Sequence, residues 1–271
     1  MPFVETPYGR IFYVRRGTAA AAAVPFLFIH GAGGNALLWG AVMNRLAGIG
    51  SVALDLPGHG RSTGPGQASI AAYAGAVAAL ADALGLGEAV LVGHSMGGGI
   101  ALHLALSQPA RVRGLVLLST TARLFVAPGL LQQLVDDPAA ARRWIVEMGY
   151  GPQTTRRMLD LGTAQLARVD PAVLHGDFVA CSAFDVRPRL AEVRAPALVA
   201  CGAEDRLTPP KYVRALAEGL ANARFELIPA AGHMLPMEAP AAVAELVLGF
   251  LRGQEAWPAT PPGPGRWPPR A

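Results

Sequence analysis

Ser95 stands in a sequence pattern that could make it a nucleophile. It belongs to the pentapeptide GHSMG at positions 93–97, which follows the apolar run 89–92 and precedes the helix-like run 100–107. A G-x-S-x-G sequence between a strand and a helix places the serine on a strained turn, because only small residues fit two positions before and after it. The serine hydroxyl then stands clear of the sheet. The chemistry to expect is attack of this oxygen on an electrophilic carbon.

A serine becomes an effective nucleophile only when a base takes its proton, so an acid and a histidine are expected later in the chain. Glu204 and Asp205 follow the apolar run 197–200, and His233 follows the run 225–228. Loops beyond the carboxyl ends of parallel strands are where such sheets bind ligands. His233 is therefore the predicted base. The other five histidines are predicted to be structural.

A glycine-rich segment, GAGGNA at 31–36, could offer backbone N–H groups to negative charge. In a hydrolase, the N–H of Ala32 would join that of Met96 as an oxyanion hole. The same segment also matches the G-x-G-x-x-A pattern of a dinucleotide site, with Asp55 where a ribose-binding acid would stand. That alternative, a nicotinamide-dependent oxidoreductase, leaves the serine turn and His233 unexplained. The oxyanion hole is the favoured interpretation.

The elements that must position these residues follow a repeated strand-then-helix order. Six apolar runs predict strands, at 26–29, 51–54, 89–92, 114–118, 197–200 and 224–228. Helix-like segments are interleaved with them, at 37–46, 70–84, 100–107, 211–220 and 241–251. This order predicts an α/β fold with a mostly parallel sheet and helices on both faces. Segments 3–5 and 10–14 predict a leading antiparallel hairpin.

The strand-then-helix order is interrupted once, between residues 121 and 193. Helical patterns at 130–135, 139–148 and 154–167 follow one another there without a convincing strand. We predict a helical cap at 122–189, inserted into a hydrolase-like core formed by residues 1–121 and 190–253. Trp144 and Phe178 are the cap residues predicted to bind substrate. Proline and glycine crowd residues 254–271, so this tail is predicted to be disordered.

The composition of the chain favours a soluble globular protein over several other classes. The chain has 271 residues, of which 52% are hydrophobic and 15% charged, enough to bury a large core. No stretch reaches the 18 or more uncharged apolar residues of a membrane span, and the amino terminus lacks the pattern of a secretory signal. The expectation is a cytoplasmic protein that does not contact a membrane.

Charge and cysteine content also restrict the partners. The formal net charge is +4, but the arginines are scattered, so no nucleic-acid surface is predicted. The two cysteines, Cys181 and Cys201, are too few for a disulfide scaffold and lack the neighbours of a zinc site. Neither a metal nor a cofactor is predicted. The expected partner is a small-molecule substrate.

Three motifs together resemble the α/β-hydrolase superfamily over residues 26–251. They are the HG pair at 30–31, the sequence DLPGHGRS at 55–62 and the sequence GHSMGG at 93–98, which stand in the family's order and spacing. Such a set is specific for the superfamily and only weakly so for the substrate. The middle motif is mostly a structural loop in the family, so the resemblance implies no catalytic role for His59.

The resemblance implies a triad of Ser95, Asp205 and His233, with a helical cap over the sheet. Asp205 is preferred to Glu204 because the sequence GAEDRLTP at 202–209 resembles the family's acid loop with aspartate in this register. Glu204 would then be a solvated neighbour.

The resemblance excludes some reactions known for this fold and leaves several others open. Haloalkane dehalogenases and epoxide hydrolases of this fold carry aspartate in place of Ser95, and hydroxynitrile lyases carry lysine where this chain has Met234. Small carboxylesterases, enol-lactone hydrolases and ring-cleavage-product hydrolases share every motif. The prediction is a serine hydrolase that cleaves a small, fairly apolar ester or lactone through an acyl-enzyme. Carbon–carbon bond hydrolysis, perhydrolysis and a binding module without turnover are the alternatives.

Overall fold

The sheet is the element on which the rest of the protein is built. The computed structural model describes residues 2–17 and 24–252, so the predicted tail at 254–271 lies outside the described residues. The strands are β1 Phe3–Thr6, β2 Gly9–Arg16, β3 Phe26–Ile29, β4 Ser51–Leu54, β5 Ala89–His94, β6 Val112–Leu118, β7 Ala197–Gly202 and β8 Ala223–Ile228. Their spatial order is β1-β2-β4-β3-β5-β6-β7-β8. The hairpin β1–β2 and the pair β2–β4 are antiparallel, and the other neighbours are parallel.

The central strands are mainly apolar because both faces of the sheet are covered, and Ser51, His94 and Arg113 are their polar exceptions. Successive side chains of a strand point to opposite faces. In β3, Phe26 and Phe28 belong to one buried cluster, and Leu27 and Ile29 belong to another. A parallel sheet between two layers of helices requires this pattern.

The helices lie on both faces of the sheet, as predicted. Those outside the insertion are α1 Gly40–Met43, α2 Ile70–Ala83, α3 Met96–Ser107, α8 Pro210–Gly219, α9 Leu235–Glu238 and α10 Pro240–Arg252. Helices α2, α3 and α8 pack into the cluster on one face, and α1, α9 and α10 pack into the cluster on the other. The predicted α/β fold with a mostly parallel sheet is confirmed.

Two predicted helices have different bounds in the structure. The segment 37–46 is a 3₁₀ helix, Ala36–Trp39, followed by the short α1, in keeping with the low helix propensity of the glycine at position 40. Helix α3 begins at Met96, four residues before the predicted start. Close packing explains its unfavourable glycines, because a Cβ at Gly97 would overlap the carbonyl oxygen of Ile29.

An insertion of helices separates β6 from β7. It contains α4 Leu130–Asp136, α5 Pro138–Gly149, α6 Arg156–Ala167, α7 Pro171–Ser182 and a 3₁₀ helix at Arg187–Glu192. These helices have an apolar cluster of their own. The sequence patterns did not single out α7, although Asp170 accepts the Ala172 N–H as a cap and Pro171 occupies the first helical position. The division into core and cap stays a prediction.

Among residues 2–17 and 24–252, no helix is both long enough and apolar enough to cross a membrane.

Candidate active site

Ser95 occupies the turn between β5 and α3 in a strained conformation. Its φ of 53° lies in the region that residues other than glycine rarely adopt. The turn is held on both sides, since the Ser95 N–H donates to the Leu118 carbonyl at 3.0 Å and the Gly98 N–H donates to the Ser95 carbonyl at 2.9 Å. A Cβ at Gly93 would overlap the backbone of Gly97. The small residues that flank the serine are therefore required by the turn itself.

His233 lies against Asp205 at the carboxyl end of the sheet. Its Nδ1 is 3.0 Å from Asp205 Oδ2 and 3.1 Å from Oδ1. The carboxylate is fixed in place, because Oδ1 accepts the N–H groups of Leu207 and Thr208 and Oδ2 accepts the Thr208 hydroxyl at 2.6 Å. Glu204, the neighbour that the sequence also offered, is exposed. The structure thus brings together Asp205 and His233.

The charge of Asp205 sets the tautomer of His233. Burial acts to raise the pKa of Asp205, but the adjacent His233 and the hydrogen bonds from Thr208 more than offset it and leave the pKa below its usual value. The carboxylate is therefore ionised and accepts a proton from Nδ1. In neutral His233 the other ring nitrogen, Nε2, is then left as the acceptor.

The loop that carries His233 is anchored on the insertion. The His233 N–H donates to the Gly149 carbonyl, at the end of α5, at 2.9 Å. Glu238 accepts the N–H of Gly151 at 2.6 Å and that of Gly232 at 2.8 Å, so one carboxylate joins the two segments. No sequence motif marked Glu238, whose importance depends on a contact 87 positions away.

His94 precedes Ser95 in the chain, is uncharged and packs against His233. Its Nε2 donates to the carbonyl of His233 at 2.8 Å. Burial, followed by the proximity of His233, lowers the pKa of His94 to about 3. His94 therefore carries no charge at neutral pH.

The glycine-rich segment after β3 lies next to the serine. A Cβ on Gly31 would stand 3.0 Å from the Ser95 Cβ, so the two backbones are in close contact. In the described part of the chain, no hydrogen bond takes the Ala32 N–H. Met96 is the first residue of α3, where N–H groups lack an acceptor within the helix. Both groups are thus available to a ligand oxygen.

If the glycine-rich segment bound a dinucleotide, the carboxylate of Asp55 would have to be free to bind the ribose. Instead Asp55 Oδ1 accepts the Ala36 N–H at 2.6 Å, and Oδ2 accepts the Arg61 N–H at 2.8 Å. Both oxygens stabilise the loops of the protein. The geometry therefore favours the hydrolase interpretation of the glycine-rich segment.

A cavity of about 310 Å³ opens above Ser95 and His233, a volume suited to a small molecule. Its wall is mostly apolar, and the described residues that line it include no Asp, Glu, Lys or Arg. Phe178 is among the lining residues and Trp144 is not, although both pack against the apolar cluster of the insertion. Within the described ranges, no group of three or more His, Cys, Asp and Glu residues could hold a metal ion.

Comparison with known proteins assigns the fold to a family. Residues 24–240 match the family model described as the α/β hydrolase fold. The chain belongs to the α/β-hydrolase family. Its relatives are named as hydrolases and esterases, so this α/β-hydrolase is an enzyme, as its motifs predicted.

Relatives of this α/β-hydrolase span most of its length. It is 32% identical over 266 residues to a protein of Azorhizobium caulinodans named "putative carbamate hydrolase RutD", covering 92% of this chain and 98% of the relative. It is 31% identical to the pimeloyl-[acyl-carrier protein] methyl ester esterase of Yersinia enterocolitica, covering 83% and 92%. A solved structure of an N-acyl homoserine lactone degrading enzyme is 29% identical, with a TM-score of 0.82 and coverage of 92% and 100%. The chain is thus similar to proteins named as a carbamate hydrolase, an ester hydrolase and a lactone-degrading enzyme.

Proposed function

We propose that this α/β-hydrolase is a serine hydrolase that cleaves a small, uncharged, mainly apolar carboxylic ester or lactone. The observation that carries the proposal is that His233, which is paired with the buried Asp205, lines the same cavity as Ser95. Relatives named as an ester hydrolase and a lactone-degrading enzyme support the substrate class.

In the proposed mechanism, the Ser95 Oγ attacks the substrate carbonyl carbon while His233 Nε2 takes its proton. Asp205 orients the imidazole and stabilises its charged form. The oxyanion of the tetrahedral intermediate accepts hydrogen bonds from the N–H groups of Ala32 and Met96, and the amino-terminal end of α3 adds its positive dipole. The protonated His233 then donates its proton to the leaving oxygen, and the acyl-enzyme is hydrolysed by water activated in the same way.

The cavity wall argues for an uncharged substrate. An ionised group brought into the cavity would lose water without meeting an opposite charge, which costs several kcal/mol. We therefore expect 4-nitrophenyl hexanoate to be cleaved with a kcat/KM roughly 100-fold above that of the same ester with a carboxylate at the acyl terminus. Equal rates for the two esters would contradict this substrate class.

A substrate panel with active-site labelling tests the function as a whole. The panel contains short-chain and aryl esters, lactones including enol-lactones, a carbamate, and ring-cleavage products. A fluorophosphonate probe should label the wild-type protein at Ser95, and the Ser95→Ala variant should stay unlabelled. Labelling without turnover of any ester or lactone would refute the proposed substrate class, and turnover of ring-cleavage products alone would favour carbon–carbon bond hydrolysis.

Three exposed apolar side chains at the cavity mouth extend the proposal to longer acyl chains. Leu37, Phe125 and Leu161 line the cavity, yet 71%, 69% and 53% of their surfaces are exposed. Exposed apolar groups that adjoin a pocket typically mark a ligand-binding surface. We propose that the apolar end of the substrate leaves the cavity and lies on these residues.

Acyl-chain length is the variable that tests this surface. The kcat/KM of wild type should rise with chain length by up to about fourfold per methylene group, the value for full burial. In the Phe125→Ser and Leu161→Ser variants the rise should flatten for the longer chains. Val135→Ser is the matched control, because Val135 lies on α4 outside the cavity and is 62% exposed. A length dependence unchanged in all variants would show that the chain does not use this surface.

A further inference from the structure

Asp177 is a buried carboxylate that the proposed triad does not use. It lies on α7 of the insertion and is fully buried. Its Oδ2 accepts the Gly33 N–H at 2.8 Å and lies 2.9 Å from His59 Nε2, while Oδ1 accepts the Tyr73 hydroxyl at 2.5 Å. One carboxylate therefore ties a helix of the insertion to the glycine-rich segment, to the loop after β4 and to α2.

The surroundings of His59 favour its cationic form. Its Nε2 faces the Asp177 carboxylate, and its Nδ1 lies 3.1 Å from the Pro57 carbonyl oxygen. Both neighbours can only accept, so both ring nitrogens must carry a proton. Burial lowers the pKa of His59, but the charge and the hydrogen bond of Asp177 outweigh burial and raise it above its usual value, with a smaller contribution from Asp55.

His30, whose imidazole lies next to that of His59, is neutral. Its ring centroid lies 5.0 Å from that of His59. Its Nε2 accepts the Leu56 N–H at 3.0 Å, so Nδ1 holds the single ring proton and donates to the Gly31 carbonyl at 2.8 Å. Burial, and then the charge of His59, keep the pKa of His30 well below its usual value. Between the two imidazoles, the positive charge therefore belongs to His59, beside Asp177.

The peptide groups on both sides of Ala32 are held by this network. The Gly31 carbonyl accepts the Gly34 N–H at 3.0 Å and the Nδ1–H of His30 at 2.8 Å. The Gly33 N–H is held by Asp177, and Gly33 has a φ of +64°, a value that glycine adopts without strain. The hydrogen bonds of the Gly31 carbonyl and of the Gly33 N–H fix the orientation of the Ala32 N–H between them. Only the second of these bonds involves a residue from a distant part of the chain, Asp177.

We propose that Asp177 is a positioning residue for the oxyanion hole. By binding the Gly33 N–H, with the His59 imidazolium as its counter-ion, it keeps the Ala32 N–H directed at the oxygen of the reacting carbonyl. The proposal rests on the proposed function, because it needs an oxyanion to form in this cavity. It gives the insertion a part in transition-state stabilisation as well as in substrate selection.

Asp177→Asn is the variant that tests the proposal. The amide oxygen can still accept the Gly33 N–H, but the amide carries no charge, so His59 loses its counter-ion and the segment around Ala32 is held less firmly. Misplacement of a catalytic group by about 1 Å can cost 100-fold, and we expect kcat to fall 10- to 100-fold. KM should stay within about threefold, because the oxyanion contact strengthens in the transition state.

Asp160→Asn is the matched control, since it makes the same substitution at an exposed position of α6 in the insertion. Its kcat and KM should equal those of wild type. An equal kcat in Asp177→Asn and Asp160→Asn, with fluorophosphonate labelling of Ser95 intact, would overturn the positioning role while leaving the serine hydrolase in place. Activity that survives in Ser95→Ala would instead refute the proposed function itself.

The pH profile provides a second and independent readout. The groups that face His59 are Asp177, Asp55, His30 and Tyr73. Because the folded-state pKa of His59 is raised, the stabilisation from the ion pair is complete below the unfolded value of about 6.5 and is lost as the pH rises through the folded value. The wild-type kcat should therefore fall on the alkaline side as His59 loses its charge.

His59→Gln should remove that alkaline fall, because glutamine can donate to Asp177 but does not titrate. Thermal unfolding measured on each variant shows whether it is folded. If Asp177→Asn does not fold, the comparison of the wild-type and His59→Gln profiles decides the question. Identical alkaline limbs in these two proteins would overturn the proposal.

Discussion

Replacing Ser95 with alanine is expected to lower kcat/KM for the best ester substrate by about 10⁶-fold, as loss of the nucleophile does in a serine protease. The alanine lacks the Oγ that forms the acyl-enzyme in the proposed mechanism. The variant should fold normally, since the hydrogen bonds that hold the turn come from the backbone of Ser95. The measurement is steady-state hydrolysis, with the probe-labelling experiment as an independent count of active sites.

Ser107→Ala is the matched control for this prediction. Ser107 lies at the other end of the same helix, is exposed, and donates to the His103 carbonyl at 2.8 Å. Its activity should be that of wild type. A Ser95→Ala variant that kept more than about 1% of wild-type activity would mean that another group carries out the attack, because only residual transition-state binding should survive.

Asp205→Asn is expected to lower turnover by about 10⁴-fold, the size of the same change in a serine protease. The structure dictates how the amide will lie. Oδ1 accepts the backbone N–H groups of Leu207 and Thr208, so the asparagine oxygen should keep that place and the NH₂ group should face His233. An NH₂ group 3.0 Å from Nδ1 favours the tautomer in which Nδ1 accepts and the ring proton is on Nε2. In that tautomer His233 cannot take the proton of Ser95.

Glu204→Gln is the control for Asp205→Asn, because it changes the adjacent carboxylate, which is exposed. It should reduce kcat/KM by no more than about twofold, as expected for a surface substitution. Unfolding temperatures measured alongside the kinetics separate a catalytic defect from a folding defect. A crippled Glu204→Gln and a mild Asp205→Asn would show that the acid of this loop is Glu204.

Local sequence patterns predicted some parts of the site. These are the parts that depend only on residues a few positions apart in the chain. The turn at Ser95 needs small residues within two positions, and these can be counted in the sequence. The strands were equally predictable, because a strand buried on both faces must be apolar at every position. The family and the fold followed from such short patterns, and comparison confirmed both.

The parts that escaped prediction depend on contacts between distant segments. Asp177 binds Gly33 across 144 positions, and Glu238 binds Gly151 across 87. A single sequence does not pair such residues. One signal was present for Asp177, since a carboxylate within the apolar run of α7 must find partners if it is buried. Trp144 was assigned to the pocket because of its residue type, but it is not among the residues that line the cavity.

The hydrogen bond from His233 to Gly149, at the end of α5, has a consequence for protein engineering. Exchanging insertions between relatives is an obvious way to transfer specificity, and it assumes that the exchanged part and the rest of the enzyme are independent modules. Here the donor insertion would have to supply a carbonyl acceptor for the histidine loop and a carboxylate at the place of Asp177. A chimaera that copies only the cavity wall of a relative would acquire the new specificity but lose turnover. A chimaera that also keeps the α5 terminus and Asp177 of this chain would acquire the specificity and keep turnover.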